Sequence, residues 1–167
     1  MIRLSFLFAW LFSQTIPASL EVPQGNKLIL HTYAKGVQIY VCAQVPTDTS
    51  KYVWVLSEPR ANLYREKNYR IQVGKHYFDS LRRPTWESTD GSRITCAKVA
   101  QEDVAGTIPW LLLKTIYATG FGRVRGTAYI QRLNTVGGSA PATGATAEHK
   151  GEYLRVPYTA EYLFYGK

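Results

Sequence analysis

The run Pro84-Thr85-Trp86-Glu87-Ser88-Thr89-Asp90-Gly91-Ser92-Arg93-Ile94-Thr95-Cys96 holds two strand-like segments on either side of the strongest turn signal in the chain. Aspartate followed by glycine tolerates the positive φ that both central positions of a type I′ turn require. Such a turn sets a register in which Thr89 faces Ser92, Ser88 faces Arg93, Glu87 faces Ile94, Trp86 faces Thr95 and Thr85 faces Cys96. Trp86 then points to one side of the ribbon, and Glu87 with Cys96 points to the other. A slip of one residue exchanges those faces.

Downstream, Trp110 to Ala118 (WLLLKTIYA) is apolar on both faces apart from Lys114 and Thr115. It is too short for a typical helix and suits a central strand entered from Pro109. Arg123 to Leu133 alternates, with Val124, Ala128 and Ile130 on one side and Arg125, Tyr129 and Gln131 on the other, so one side meets solvent or ligand. Residues 137–151 (GGSAPATGATAEHKG) are small, polar and glycine-rich and predict a long surface loop. Tyr153 to Tyr165 predicts a last strand. Upstream, Leu28 to Tyr33 and Val37 to Cys42 flank Ala34-Lys35-Gly36, which predicts a first hairpin. Lys51 to Ser57 and Asn62 to Arg65 predict two further strands around a turn at Glu58-Pro59-Arg60, where proline costs no ladder bond. Turn signals thus recur at roughly eight- to twelve-residue intervals, the spacing of an all-β fold. The expected architecture is a single-domain antiparallel β-sandwich or barrel of short strands with a long glycine-rich loop near the C-terminus.

The chain has 167 residues, 46% hydrophobic and 13% aromatic, with a formal net charge of +8. Those values suit one globular domain and exclude disorder, a disulfide-dense miniprotein, a coiled coil and a multi-span membrane protein. Arg3 precedes an apolar run from Leu4 to Phe12, and Ile16-Pro17-Ala18 offers a small residue for cleavage, which is the pattern of a secretory signal. Gln14, Thr15 and Pro17 stop that run short of the roughly 20 apolar residues of a membrane span. The expected division is a signal peptide at 1–18 and one all-β domain at 19–167, secreted or periplasmic, with no transmembrane span. Cys42 and Cys96 are the only cysteines. In an oxidising space they are the candidate pair for a disulfide. Neither belongs to a CxxC pair or a His-containing ligand spacing, so no metal and no cofactor is implied.

Several phrases together resemble one family: Val22-Pro23-Gln24-Gly25-Asn26-Lys27-Leu28, Lys35-Gly36-Val37-Gln38-Ile39-Tyr40, Pro84-Thr85-Trp86-Glu87, Ile108-Pro109-Trp110-Leu111-Leu112-Leu113-Lys114 and Tyr129-Ile130-Gln131-Arg132-Leu133-Asn134-Thr135-Val136-Gly137-Gly138. The chain resembles the domain of unknown function family three-four-five-five along nearly all of its length after residue 18. The resemblance implies a commonly exported protein of bacteria or fungi, and it brings no activity, substrate or cofactor with it. His76 and His149 match positions associated with that family. Arg83 stands where the family's tryptophan motif usually opens with glycine, and Ala145 stands where members often carry a cysteine.

No signature for nucleophilic, metal or phosphate chemistry is present: the chain has no GxSxG elbow, HExxH pair or GxxxxGK[ST] loop. Twelve tyrosines and four tryptophans offer ring faces instead. Ring faces bind sugars and apolar ligands, and equally build cores. The candidate ligand-binding residues are His76, Trp86, Glu87, Arg132, Asn134 and His149, polar or aromatic groups near loops and within the family phrases. The expected partner is a carbohydrate or small molecule. Nucleic acid is not expected, because the basic residues are scattered and form no stripe with aromatic interleaving. The rival expectation is a hydrolase or isomerase drawing an acid–base pair from Glu87, His76 and His149. A further one is a structural or host-interaction protein, which would present an exposed apolar patch instead of a pocket.

Overall fold

A computed structural model describes residues 15–167. The candidate signal run lies mostly outside these residues. Eight antiparallel strands follow one another around a closed barrel: β1 (Lys27–Val45), β2 (Asp48–Tyr64), β3 (Gln72–Phe78), β4 (Pro84–Ser88), β5 (Arg93–Glu102), β6 (Trp110–Thr119), β7 (Thr127–Gly137) and β8 (Tyr153–Gly166). The ring closes where β8 pairs with β1, Lys27 opposite Gly166 and Val41 opposite Tyr153. The all-β expectation holds, and the barrel is the alternative realised.

Two expected turns are absent, and both segments are continuous strand. Ala34-Lys35-Gly36 lies inside the 19-residue β1, so there is no hairpin there. Gly36 is needed for proximity: a Cβ placed on it would stand 2.1 Å from the Arg60 carbonyl oxygen and 2.4 Å from the Ala61 Cα. Glycine inside a strand marks such a close approach as readily as it marks a turn. Glu58-Pro59-Arg60 lies inside the 17-residue β2, so that turn is also absent. Tyr40 pairs with Leu56 and Ile39 with Glu58, which leaves Ser57 as the extra residue of a β-bulge. The bulge shifts the inward phase from even to odd numbers and breaks the alternation that a regular strand would show. Pairing with β3 begins only at Arg60, so Pro59 has a ladder on the β1 side alone.

The β4–β5 register is displaced by one residue from the expected one, with Thr85 opposite Thr95, Trp86 opposite Ile94 and Glu87 opposite Arg93. The loop has three residues instead of two. Gly91 N donates to Ser88 O (3.0 Å) and Ser88 N to Ser92 O (2.8 Å), and Gly91 alone in this loop has positive φ, at 87°. A three-residue loop ending in a left-handed glycine bulge is the next hairpin in order of preference. Asp90 is used as an anchor: its carboxylate accepts from Ser92 N (3.0 Å), Ser92 Oγ (2.6 Å) and Arg123 N (2.9 Å). These bonds tie the tip to the β6–β7 connection and hold the carboxyl far below its ordinary range, Ser92 contributing most. The slip brings Ile94 and Cys96 onto the face of Trp86, which is the interior, and Glu87 lies on the outer face.

The strand expected from Arg123 begins instead at Thr127. Arg125 N donates to Gly122 O and Thr127 N to Val124 O, so residues 122–127 form turns. Both cysteines are free and buried, and the candidate Cys42–Cys96 bridge is not formed. They stand on β1 and β5, on opposite sides of the eight-strand ring. The loop expected at 137–151 is present and carries a short 3-10 turn at Ala147–His149.

Trp86, Ile94, Cys96, Leu113, Ile130, Tyr162 and Phe164 fill the interior. A smaller cluster lies on the outer side of β6 and β7, where Leu20 packs on Trp110, Leu112 and Leu133. Leu20 is wholly buried, and its carbonyl accepts from Gln131 Nε2 at 2.7 Å. The segment around Ala18–Leu20 therefore straps the barrel's exterior. Across β3, β4 and β5 the outer face carries charge, with Lys75, paired to Glu87 at 3.2 Å, and Arg93 projecting from it. A lipid-facing band would be apolar at such positions. No helix among the described residues is long and apolar enough to cross a membrane.

Candidate functional site

An eight-stranded barrel is just wide enough for its side chains to fill it or to leave room for one small ligand. Here one end is packed around Phe164, Ile130 and Val124, and the other retains a cavity of about 310 Å³. Leu56, Phe78, Pro84, Leu111 and Leu113 form its apolar walls, while Gln38, Tyr40, His76, Arg132 and Tyr162 bring polar atoms to it. It opens past Lys98 and Gln101, which are exposed and joined by a 2.9 Å hydrogen bond from Lys98 Nζ to Gln101 Oε1.

Strand alternation delivers these groups. Gln38 and Tyr40 lie on the even face of β1, Tyr158 and Tyr162 four residues apart on β8, and Ile130 and Arg132 two apart on β7. His76 and Trp86 are directly paired across β3 and β4, and their rings stack 4.2 Å apart at 15°. Tyr162 meets both rings at 5.4 Å, edge-on to the indole.

His76 is a neutral group. Its Nδ1 lies 2.9 Å from the Thr85 carbonyl, which can only accept, so the proton sits on Nδ1 and Nε2 keeps a lone pair. Burial drives its pKa down to about 3, and the positive charge of Arg132 adds to that. Such an imidazole is a poor general base near neutral pH. It also makes stability depend on acid. The unfolded chain binds the proton at the ordinary value of 6.5, so this contribution is complete above pH 6.5 and drains away as pH falls toward about 3. Between about pH 7 and about pH 4.5 the folded state should lose roughly 2 to 3 kcal/mol in denaturant titrations. Asp79, Glu87 and Asp90 have lowered pKa values and release their contributions mainly at still lower pH. His76→Gln should flatten the loss; an unchanged slope in the variant would assign it to other groups.

Arg132 is only 9% exposed. Its Nε and Nη2 both donate to Pro109 O, at 3.0 and 2.8 Å, and no carboxylate among the described residues pairs with it. The hydroxyls of Tyr162 and, behind it, Tyr158 lie close to the guanidinium and to each other, and two further atoms of the cavity lining, Gln38 Oε1 and Trp86 Nε1, are buried without a hydrogen-bond partner. Burial raises the pKa of both tyrosines, with Arg132 opposing, so both hydroxyls stay protonated. Tyr40 Oη is satisfied by the Gly138 carbonyl at 2.7 Å, which fastens the start of the long loop to the cavity wall.

Of the six candidate residues, His76, Trp86 and Arg132 meet at this cavity and three lie elsewhere. Glu87 is on the outer face, accepting from Tyr77 Oη at 2.6 Å, and that bond is the main reason its pKa is lowered. Asn134 is exposed on β7 with φ 50°, a left-handed position that asparagine tolerates, where the β7–β8 register shifts. His149 sits in the loop and bonds Thr146 Oγ1 through Nδ1 at 2.9 Å. The expected acid–base pair is therefore not assembled: Glu87 and the His76 ring lie on opposite faces of the sheet. Cys96 is no nucleophile either, its thiol raised by burial to about 12. Sequence reasoning missed Gln38, Tyr158 and Tyr162. Tyr158 and Tyr162 share the inward phase of Ala160 and Phe164, which was a usable signal, whereas Gln38 lies on the face opposite the aliphatic row Val37, Ile39 and Val41, which pointed the other way.

A family model described as "Protein of unknown function (DUF3455)" matches residues 23–166, a span that includes every strand of the barrel. The chain belongs to that family. No curated protein matches the chain, and no solved structure does. In this DUF3455 member the matched span contains the cavity and its arginine, while the Leu20 strap lies before it. Among the described residues, no three His, Cys, Asp or Glu side chains converge as metal ligands would.

Proposed function

We propose that this DUF3455 protein is an exported binding protein that takes one small molecule into the mouth of its barrel, acting as a binder and not as a catalyst. The supporting observation is the cavity itself, about 310 Å³ with apolar walls and convergent polar atoms at its end. That volume is within the range of small-molecule sites, if at its lower limit. At roughly 30 Å³ per water it equals about ten waters, hence a ligand of roughly ten non-hydrogen atoms. Export rests on the signal pattern of residues 1–18. Of the two expected partners, the small molecule is the better supported. A polysaccharide needs an accessible ring face, whereas Trp86 is 1% exposed and stacked on His76, and Trp110 lies beneath Leu20.

Docking to a macromolecule is a second reading, drawn from a row on the barrel exterior. Val55 pairs with Val41 and Val41 with Tyr153, and Val53, Val55 and Tyr153 are all well exposed.

The two readings separate in one experiment. Thermal melting against a panel of small acids, amides, alcohols, sugars and lipids should show a concentration-dependent rise for at least one compound of the expected size. Leu111→Trp, which fills the cavity from its wall, should abolish that rise while the far-ultraviolet spectrum stays that of a barrel. A flat response across the panel, or a rise untouched by Leu111→Trp, overturns the cavity as the binding site.

A further inference from the structure

We infer that the ligand of this cavity is a small carboxylic acid bound as its monoanion, with the carboxylate against Arg132 and the apolar body among Leu56, Phe78 and Leu111. The inference rests on the reading that the cavity binds a small molecule, and it adds the chemical class. It starts from a charge without a counter-charge. A guanidinium offers five N–H groups. Two of them reach the Pro109 carbonyl, the Tyr162 hydroxyl lies beside the guanidinium, and no carboxylate among the described residues pairs with it.

A buried cation is ordinarily paired, because removing it from water is costly unless an anion compensates. The barrel brings none to Arg132, and it surrounds that side chain with groups suited to an anion. Tyr158 and Tyr162 hold buried hydroxyls beside one another and near the guanidinium, with no carbonyl or carboxylate to accept from them. Gln38, 2% exposed, leaves its amide oxygen unpaired in the same cavity, an acceptor that would face a donor on the ligand and not its carboxylate. Donors from Arg132 and a tyrosine hydroxyl suit the two oxygens of a carboxylate, since guanidinium and carboxylate match in plane and spacing.

The number of charges limits the ligand to a monoanion. His76 is neutral, and Lys98 is the other cationic side chain lining the cavity, out at the exposed rim. One buried positive charge balances one negative charge. A dianion such as phosphate would carry its second charge among leucine, phenylalanine and proline, where it would be unpaired. The apolar walls require a hydrocarbon body, which inorganic anions and most sugars lack.

The test uses the wild-type protein and matched pairs: benzoate against benzamide and hexanoate against hexanamide, with inorganic phosphate as a separate arm, read by calorimetric titration and thermal melting. At least one acid should bind about ten- to a hundredfold more tightly than its amide, the factor expected for hydrogen bonds to a charged group. Arg132→Gln should remove that preference, and the acid–amide comparison stands on the wild-type protein if the variant does not fold. Equal affinity for acid and amide overturns the monoanion while leaving a binding cavity. Binding of phosphate without either acid overturns it in favour of a simple anion site. If neither acid binds and no neutral compound of the panel does, the binding reading itself falls with it.

Discussion

Gly36→Ala should leave little or no folded protein. The added methyl would stand 2.1 Å from the Arg60 carbonyl oxygen, 2.4 Å from the Ala61 Cα and 2.6 Å from the Ala61 Cβ. Two of those atoms are backbone of the neighbouring strand, and no rotamer change relieves the overlap. The ring is closed, so β1 cannot move away from β2 without disturbing its pairing with β8, where Gly36 faces Tyr158. Overpacking of this kind belongs to the severe tail of substitutions, more than about 4 kcal/mol against a typical total of about 5 to 15. Melting should fall by about 10 °C or more, or the protein should fail to accumulate as a monodisperse species. Gly25→Ala is the matched control. Gly25 has φ 85° and nothing within 4 Å of the point where a Cβ would stand, so only backbone strain of about 1 kcal/mol is expected there. If the two variants melt alike, close approach is not the reason for glycine at position 36.

Trp86→Ala is the second large effect. The indole is 1% exposed, stacked on His76 at 4.2 Å and met edge-on by Tyr162 at 5.4 Å. Its removal leaves a void among inward groups of β3, β4 and β8 that the ring cannot collapse to fill. A loss of about 3 to 5 kcal/mol in denaturant titration is expected. Trp86→Phe should recover much of it, since the phenyl ring keeps part of the stack and removes an indole N–H that has no acceptor. A loss below about 1 kcal/mol for the alanine variant would mean that the residue sits at a wall able to relax. Trp86 is thus better understood as the floor of the cavity than as a platform for a ligand.

Both positions show how far the sequence could be followed. Alternation and turn residues were enough for the all-β class, for the strand at Trp110–Thr119 and for the last strand. They failed where one residue type serves two purposes. Gly36 and Pro59 were punctuation by local rules, yet one permits two backbones to approach and the other sits beside a bulge that reverses the phase of β2. Asp90-Gly91 marked a hairpin correctly but not its length, because Asp90 engages Ser92 and Arg123 instead of taking a left-handed conformation. That single residue moved Ile94 and Cys96 from the face of Glu87 to the face of Trp86. Half of the candidate site was legible through residues whose polarity stood out. Gln38, Tyr158 and Tyr162 were not, because assembly across β1, β7 and β8 depends on ring closure between segments far apart in the chain.

The pairing of the first strand with the last also governs when the molecule becomes complete. A chain emerging from its N-terminus carries two unpaired sheet edges until Tyr153–Gly166 is present to join Lys27–Val45. Contacts of such wide sequence separation slow folding, and open edges invite pairing with other chains. The vulnerable interval therefore lasts until the final segment arrives.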